Sequence, residues 1–204
     1  ASFENTHTVR IGDELIQTDT IVINAGGRAR VPQIEGMEQV DWLDNARLLD
    51  LKELPQHLMI VGGSYISLEF AQAFRRLGSQ VTVLEGSSQI MFREDEDMAL
   101  AAQEVLESEG IKIQLNSRAV RLEQSAPKDI RVTFDQDGQQ KQVNGTHLLL
   151  AVGRVPNSDR LNLDAAGVEV NERGFIRVND NMQTNQAHIF AVGDINGEGA
   201  FTHT

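Results

Sequence analysis

The chain has 204 residues, 40% hydrophobic and 24% charged, with no cysteine, which is ordinary globular composition and excludes a disulfide framework or thiolate site within these residues. Its net charge of −12 argues against nucleic acid as a partner, because phosphates repel an acidic surface. No apolar stretch is long enough to span a bilayer and the first residues carry no leader pattern, so we expect a cytoplasmic protein without membrane association.

Residues 1–24 are rich in strand-forming residues, and residues 20–23 form an apolar strand. That strand runs into residues 24–27, which read NAGG. Small residues and glycines at a strand end let a ligand or another backbone come close. Pro32 and Gly36 then indicate a linker into a second domain.

A buried strand followed by a helix stands at the centre of the chain. Residues 58–61 are continuously apolar, Gly62-Gly63 follows at once, and apolar residues then recur at helical spacing until Gly78. A second apolar strand, residues 81–84, closes with Glu85. Strand, glycine turn, helix, strand and acid is the order of a dinucleotide-binding βαβ unit.

The first turn of such a helix can hold a pyrophosphate, because its amides lack intrahelical partners and carry the positive end of the helix dipole. The pattern G-x-G-x-x-G is only partly met, since Gly62 is followed by Ser64 and Ser67 at the other glycine positions. Ser64 still offers an amide and a hydroxyl, and Ser67 is small enough for the helix to lie close to a strand. A βαβ unit that binds no nucleotide remains the alternative.

Glu85 favours a dinucleotide, and NAD(H) over NADP(H). A carboxylate at the end of the second strand accepts hydrogen bonds from the adenosine ribose hydroxyls. It would repel a 2′-phosphate, and no Arg or Lys lies within residues 86–90 to receive one. The nearest candidate, Arg93, precedes four acidic residues.

Those acidic residues, 94–97, can be interpreted as a metal site or as the start of a helix that runs to Glu109. We favour the helix, because negative charge complements its dipole and apolar residues follow at helical spacing. No neighbouring His or further carboxylate completes a coordination shell, so we expect no metal site. The histidines are scattered, and we expect no catalytic residue in this chain.

Short strands follow this helix and predict an antiparallel meander where a plain Rossmann half would have a helix. Residues 111–115 are expected to form a third strand after the two strands of the βαβ unit, and the strands of the meander are residues 119–123, 130–134 and 141–143. Asp137-Gly138 is a strong signal for a two-residue hairpin. A buried strand over residues 148–152 then leads to Gly153.

The last predicted strand covers residues 189–192 and is followed by Gly193-Asp194. An aspartate after a strand-final glycine can accept bonds from a ligand hydroxyl, or can form an Asx turn or a helix cap. Residues 195–204 show no closing element, so we expect the chain to be a piece of a longer protein.

Four of these segments resemble the flavin-dependent pyridine nucleotide-disulfide oxidoreductases, the family of dihydrolipoamide dehydrogenase, glutathione reductase and mercuric reductase. Residues 20–36 look like the family's strand-to-glycine motif, and residues 62–69 look like its nucleotide loop. Residues 150–157 (LAVGRVPN) are similar to its second glycine motif. Residues 188–194 (HIFAVGD) are similar to the segment whose aspartate binds the FAD ribityl chain. The mercuric-reductase-like branch is the most similar.

This resemblance implies cofactor contacts along the whole chain. They are Gly62, Gly63, Ser64, Tyr65 and Ile66 with the NAD(H) pyrophosphate, Glu69 near the nicotinamide amide, Glu85 with the ribose, Ala119 and Gly153 along the adenosine side, and Gly26, Gly27 and Asp194 with FAD. Glu69 could instead be a solvated helix residue, and Arg154 either an ion-pairing residue or a cofactor contact.

We therefore predict an α/β fold, with a Rossmann-like NAD(P)-binding domain and its antiparallel β-meander over residues 36–154. Partial FAD-binding segments, residues 1–35 and 155–204, flank it. The resemblance implies a fragment of an FAD-dependent oxidoreductase that passes hydride from NAD(P)H to FAD and on to a disulfide, metal ion or similar acceptor.

The family's own N-terminal FAD loop, cysteine pair and C-terminal dimerisation domain have no counterpart here. We therefore expect the chain to be inactive alone and its parent to be a homodimer. A non-catalytic NADH-binding sensor module and a cysteine-free flavin reductase of the ferredoxin or quinone type are the alternatives.

Overall fold

The computed structural model describes residues 1–199. They form two units, one of residues 29–153 and the other of residues 1–28 together with residues 154–199. In chain order the strands are β1 Ser2–Asn5, β2 Thr8–Ile11, β3 Glu14–Gln17, β4 Ile21–Ile23, β5 Gly27–Ala29, β6 Trp42–Leu43, β7 His57–Val61, β8 Gln80–Leu84, β9 Lys112–Gln114, β10 Ser117–Ala126, β11 Asp129–Gln136, β12 Gln139–Gly145, β13 His147–Leu150, β14 Arg154–Pro156 and β15 Ile189–Ala191. The α-helices are α1 Asn45–Leu49, α2 Tyr65–Leu77 and α3 Glu96–Ser108. Over the described residues, no helix has the length and apolar character needed to cross a bilayer.

A five-stranded parallel sheet organises the unit of residues 29–153, with the order β6-β13-β7-β8-β9. The chain moves outward from β7 through α2 to β8 and through α3 to β9, and later returns to place β13 on the other side of β7. The carboxyl end of β7 is therefore a topological switch point, where open α/β sheets bind their ligands.

Alternate residues of β7 pack against different layers, as expected for a strand buried on both faces. Leu58 and Ile60 belong to the core shared with α2 and α3. Met59 and Val61 belong to the core shared with the meander β10-β11-β12. The unit therefore has three layers, with helices on one face of the parallel sheet and an antiparallel sheet on the other.

The meander confirms the predicted hairpin. Asp137 and Gly138 have φ values of 54° and 79°, and Gln136 pairs with Gln139 across the turn. Two consecutive positive φ values are required by the two-residue turn that suits the twist of adjacent strands. The strands themselves are longer than predicted, because cross-strand pairing continues through their polar ends.

The other unit contains an antiparallel sheet, β1-β2-β3, and two separate strand pairs, β4 with β15 and β5 with β14. In the β4 and β15 pair, Ile21 lies opposite Ile189 and Ile23 opposite Ala191. A separate core joins these strands to Phe3 and to the segment after residue 160.

Several elements differ from the sequence-based expectations. Strands β5, β6 and β14 were not predicted, since each has only two or three residues. Helix α3 starts at Glu96 with Asp95 as its N-cap, so Glu94 precedes the helix.

We expect Gly36→Ala to destabilise the unit of residues 29–153 more than Gly138→Ala does. Both glycines have a φ of 79°, so each alanine incurs about 1 kcal/mol of left-handed strain. A Cβ at Gly138 meets nothing within 4 Å, whereas one at Gly36 would lie 2.1 Å from the carbonyl oxygen of Leu122. Urea unfolding of both variants measures the difference, and equal losses would show that the backbone at Gly36 yields freely.

We expect folding stability to fall as the pH drops from about 7.5 to 5.5. Burial lowers the pKa of His57 below its ordinary value of 6.5, and Lys112 lowers it further. The unfolded chain then binds a proton that the folded chain resists, so stability present above pH 6.5 is lost below it. In urea unfolding, His57→Gln should have a flatter pH dependence than the parent. Parallel curves would contradict this assignment.

Candidate coenzyme-binding site

The turn after β7 is tightly packed. Gly62 has a φ of 109°, and a Cβ there would lie 2.5 Å from the carbonyl oxygen of Ala151. The Gly62 amide donates to Leu84 O at 2.9 Å. Ser67 is fully buried and its hydroxyl donates to Ala151 O at 3.4 Å. The first position therefore requires glycine, while the third accepts a serine whose hydroxyl bonds the neighbouring segment.

Helix α2 starts at this turn and directs its first amides to the carboxyl edge of the sheet. Ser64 is the N-cap residue, and its side chain makes no capping hydrogen bond. Tyr65 and Ile66 form the first turn and are partly buried. Amides in this position have no intrahelical partner. The predicted pyrophosphate-binding residues, Gly62 to Ile66, are thus together at one helix start.

Glu85 lies beside the same turn. Its carboxylate accepts a hydrogen bond from the Gly63 amide at 2.5 Å and another from the Ser87 amide at 2.7 Å. A Cβ at Gly63 would lie 2.8 Å from Oε2 of Glu85. The structure therefore brings together the glycine turn and the acid that the sequence placed in one site.

The other predicted nucleotide residues take different positions. Glu69 is exposed on α2, one turn beyond Tyr65. Ala119 lies in β10, whose first residue, Ser117, donates its amide to Glu85 O at 2.7 Å. Gly153 has a φ of 112° with open space around its Cβ position. Their contacts with a dinucleotide remain predictions.

The loop of residues 86–95 covers the start of α2 and was not predicted to do so. Its Met91 amide donates to Gly63 O at 2.8 Å. Glu94 accepts a hydrogen bond from the Tyr65 hydroxyl, which raises the pKa of Tyr65 above its ordinary value. Sequence reasoning placed Glu94 in the first turn of α3. Glu94 lies outside α3 because it precedes the N-cap residue, Asp95.

The acidic residues 94–97 are divided between the loop before α3 and the start of α3. Asp95 is the N-cap residue of α3, without a side-chain capping hydrogen bond, and Glu96 and Asp97 lie in the first turn. Among residues 1–199, no group of three or more His, Cys, Asp or Glu side chains is arranged to hold a metal ion. The acids therefore have separate local surroundings.

A second set of predicted residues converges in the other unit. Strands β4 and β15 are parallel neighbours, so the segments after their carboxyl ends lie together. A Cβ at Gly27 would lie 3.7 Å from the Cβ of Asp194 and 3.1 Å from Val155 O. Gly26 precedes it with a φ of 64° and open space at its Cβ position. These residues are far apart in sequence and lie close together in the structure.

Arg154 contacts both the glycine segment and Asp194 in this second site. Its Nη2 donates to Gly27 O at 2.6 Å, and its Nε lies 3.3 Å from Oδ2 of Asp194. Of the two interpretations of Arg154, the ion-pairing one describes these contacts. The arginine fixes the Asp194 carboxylate relative to the glycine backbone.

Comparisons with known proteins match the chain over almost its whole length. A family described as pyridine nucleotide-disulphide oxidoreductase matches residues 1–204. The chain is 38% identical over 208 residues to the probable pyridine nucleotide-disulfide oxidoreductase RclA of Escherichia coli K12, covering 100% of this chain and 46% of that protein. It is 32% identical over 195 residues to a mercuric reductase of Staphylococcus aureus, covering 96% of this chain and 36% of that protein.

A solved structure is similar as well. It is the HOCl-induced flavoprotein disulfide reductase RclA from Escherichia coli, with a TM-score of 0.90, 37% sequence identity, and coverage of 99% of this chain and 46% of that chain. The chain thus spans less than half the length of these relatives. The match along its whole length shows that the chain belongs to the pyridine nucleotide-disulphide oxidoreductase family, whose members are FAD-dependent oxidoreductases.

Proposed function

We propose that this chain supplies the nicotinamide coenzyme site, and part of the flavin site, of an FAD-dependent NAD(P)H oxidoreductase. The unit of residues 29–153 would bind the dinucleotide, and the other unit would contribute to FAD binding. The observation that carries the proposal is the convergence of a helix start, a glycine turn and the Glu85 carboxylate at one edge of a parallel sheet.

The residues present fit a dinucleotide. The turn at Gly62 has no room for a side chain, and the first turn of α2 offers backbone amides and a positive dipole to a pyrophosphate. Each oxygen of Glu85 accepts one backbone amide. A carboxylate oxygen has a second lone pair, so Glu85 can also accept bonds from ribose hydroxyls.

The surroundings of Glu85 favour NADH over NADPH. A 2′-phosphate on the ribose would bring negative charge to a carboxylate that two amides already orient. Residues 86–90 read GSSQI and contain no cation to neutralise it. Like charges in contact cost free energy that ribose hydroxyls do not incur.

The residues of the second site also fit a flavin nucleotide. Gly26 and Gly27 allow close backbone approach, and Asp194 presents a carboxylate, held by Arg154, to a ligand hydroxyl. When both cofactors are bound, the reduced nicotinamide supplies a hydride to the flavin. The names of the relatives suggest a disulfide or a metal ion as the final acceptor.

We expect the chain to bind NADH at least about tenfold more tightly than NADPH, the ratio that follows from about 1.4 kcal/mol of charge repulsion. Isothermal titration of both coenzymes measures this ratio. Glu85→Gln should weaken NADH binding and Glu85→Arg should remove the preference, while Glu104→Gln, an exposed change on α3, should alter neither. Equal affinities in the parent would overturn the role of Glu85.

We also expect the 204-residue chain to purify without stoichiometric flavin. Gly26, Gly27 and Asp194 make up only part of the proposed flavin site. An absorbance spectrum over roughly 350–500 nm, where flavins absorb, tests this directly. A yellow preparation with one flavin per chain would show that residues 1–204 form a complete flavin site.

A further inference from the structure

Phe92 is an exposed aromatic residue on the loop of residues 86–95. Its exposed fraction is 59%, and it is the sole aromatic residue among the large exposed hydrophobic side chains of the described part of the chain. Exposing a phenylalanine forgoes hydrophobic stabilisation that its burial would give. The ring therefore has contact surface available for a ligand.

The loop holds Phe92 beside the start of α2. Its neighbour Met91 donates its amide to Gly63 O at 2.8 Å, and Glu94 accepts the Tyr65 hydroxyl. Phe92 lies between these two attachments. Ile90, which is fully buried, anchors the preceding part of the loop in the helix-side core.

The backbone at Met91 is also unusual. Its φ is 46°, in the left-handed region that non-glycine residues rarely adopt. Such a conformation is kept when surrounding contacts determine it, here the bond to Gly63 and the burial of Ile90. The turn at Met91 directs the chain so that Phe92 is on the outside of the loop.

The same loop directly follows Glu85, the residue proposed to hold the adenosine ribose. Adenine is bonded directly to that ribose, so the base must lie close to the loop that follows Glu85. The two faces of adenine are flat and aromatic, so the base stacks better on an aromatic ring than on the acidic side chains nearby. Aromatic rings stack with bases at a contribution of about 1–3 kcal/mol per base.

We propose that the Phe92 ring is the surface on which the adenine of the dinucleotide stacks. The guanidinium of Arg93 lies 5.5 Å from the centre of this ring, so one face is shared with a cation and the other receives the base. Arg93 limits the rotation of the ring and adds cation–π stabilisation to the stack. This inference rests on the proposed dinucleotide site.

The experiment compares ligands that contain adenosine with one that lacks it. NADH, ADP-ribose and reduced nicotinamide mononucleotide are titrated into the parent chain, Phe92→Ala and Phe92→Leu by calorimetry. Phe92→Ala should weaken NADH and ADP-ribose about tenfold and leave the mononucleotide unchanged. Met98→Ala removes another exposed apolar side chain, 61% exposed on α3, and should change none of the affinities.

Proton NMR of bound ADP-ribose provides a readout that a merely structural role would not move. Stacking on the ring should shift the adenine H2 and H8 signals upfield in the parent, and Phe92→Leu, which keeps apolar area but has no ring, should abolish the shift. Unchanged shifts or affinities in the Phe92 variants, with NADH bound by the parent, would overturn the stacking alone. A parent chain that binds no NADH would overturn the proposed function and this inference together.

Discussion

The hydrogen bond between the Gly63 amide and Glu85 joins the parts of the candidate coenzyme site. Strands β7 and β8 are parallel neighbours with Val61 opposite Leu84, so the residues that follow both strands emerge at the same edge of the sheet. The carboxylate can reach the glycine turn only because Gly63 has no side chain, since a Cβ there would lie 2.8 Å from Oε2. Position 63 thus requires glycine because of the Glu85 carboxylate, and position 62 requires glycine because of the Ala151 carbonyl.

The two serines of the turn depart from the usual glycine pattern for different physical reasons. Ser67 faces a neighbouring backbone, and its hydroxyl donates to Ala151 O, so a polar group that burial would penalise has a partner. Ser64 is the N-cap of α2 in extended conformation, a position that serine favours. Neither serine requires the turn to change shape, which is why a partly met motif still forms the expected geometry.

Much of this architecture could be predicted from the sequence because it is local. The β7, α2 and β8 segments show clear changes of hydrophobic period, and Asp137-Gly138 specifies its own turn. The short pairs β5 with β14 and β6 with β13 could not be predicted, since two or three residues carry no period and the pairing is set by distant strands. The attachment of Glu94 to Tyr65 was missed for a similar reason: it depends on the path of a loop, which no local pattern encodes.

The charge of the chain limits how it can bind an anionic coenzyme. A net charge of −12 repels anions at long range, but salt screens that repulsion beyond a Debye length of about 8 Å. At contact distance the first amides of α2 and its dipole provide local positive potential. We therefore expect this arrangement to favour a pyrophosphate. In the proposed site the preference for NADH therefore rests on residues 86–90, which carry no cation to neutralise a 2′-phosphate beside Glu85, and not on the net charge of the chain.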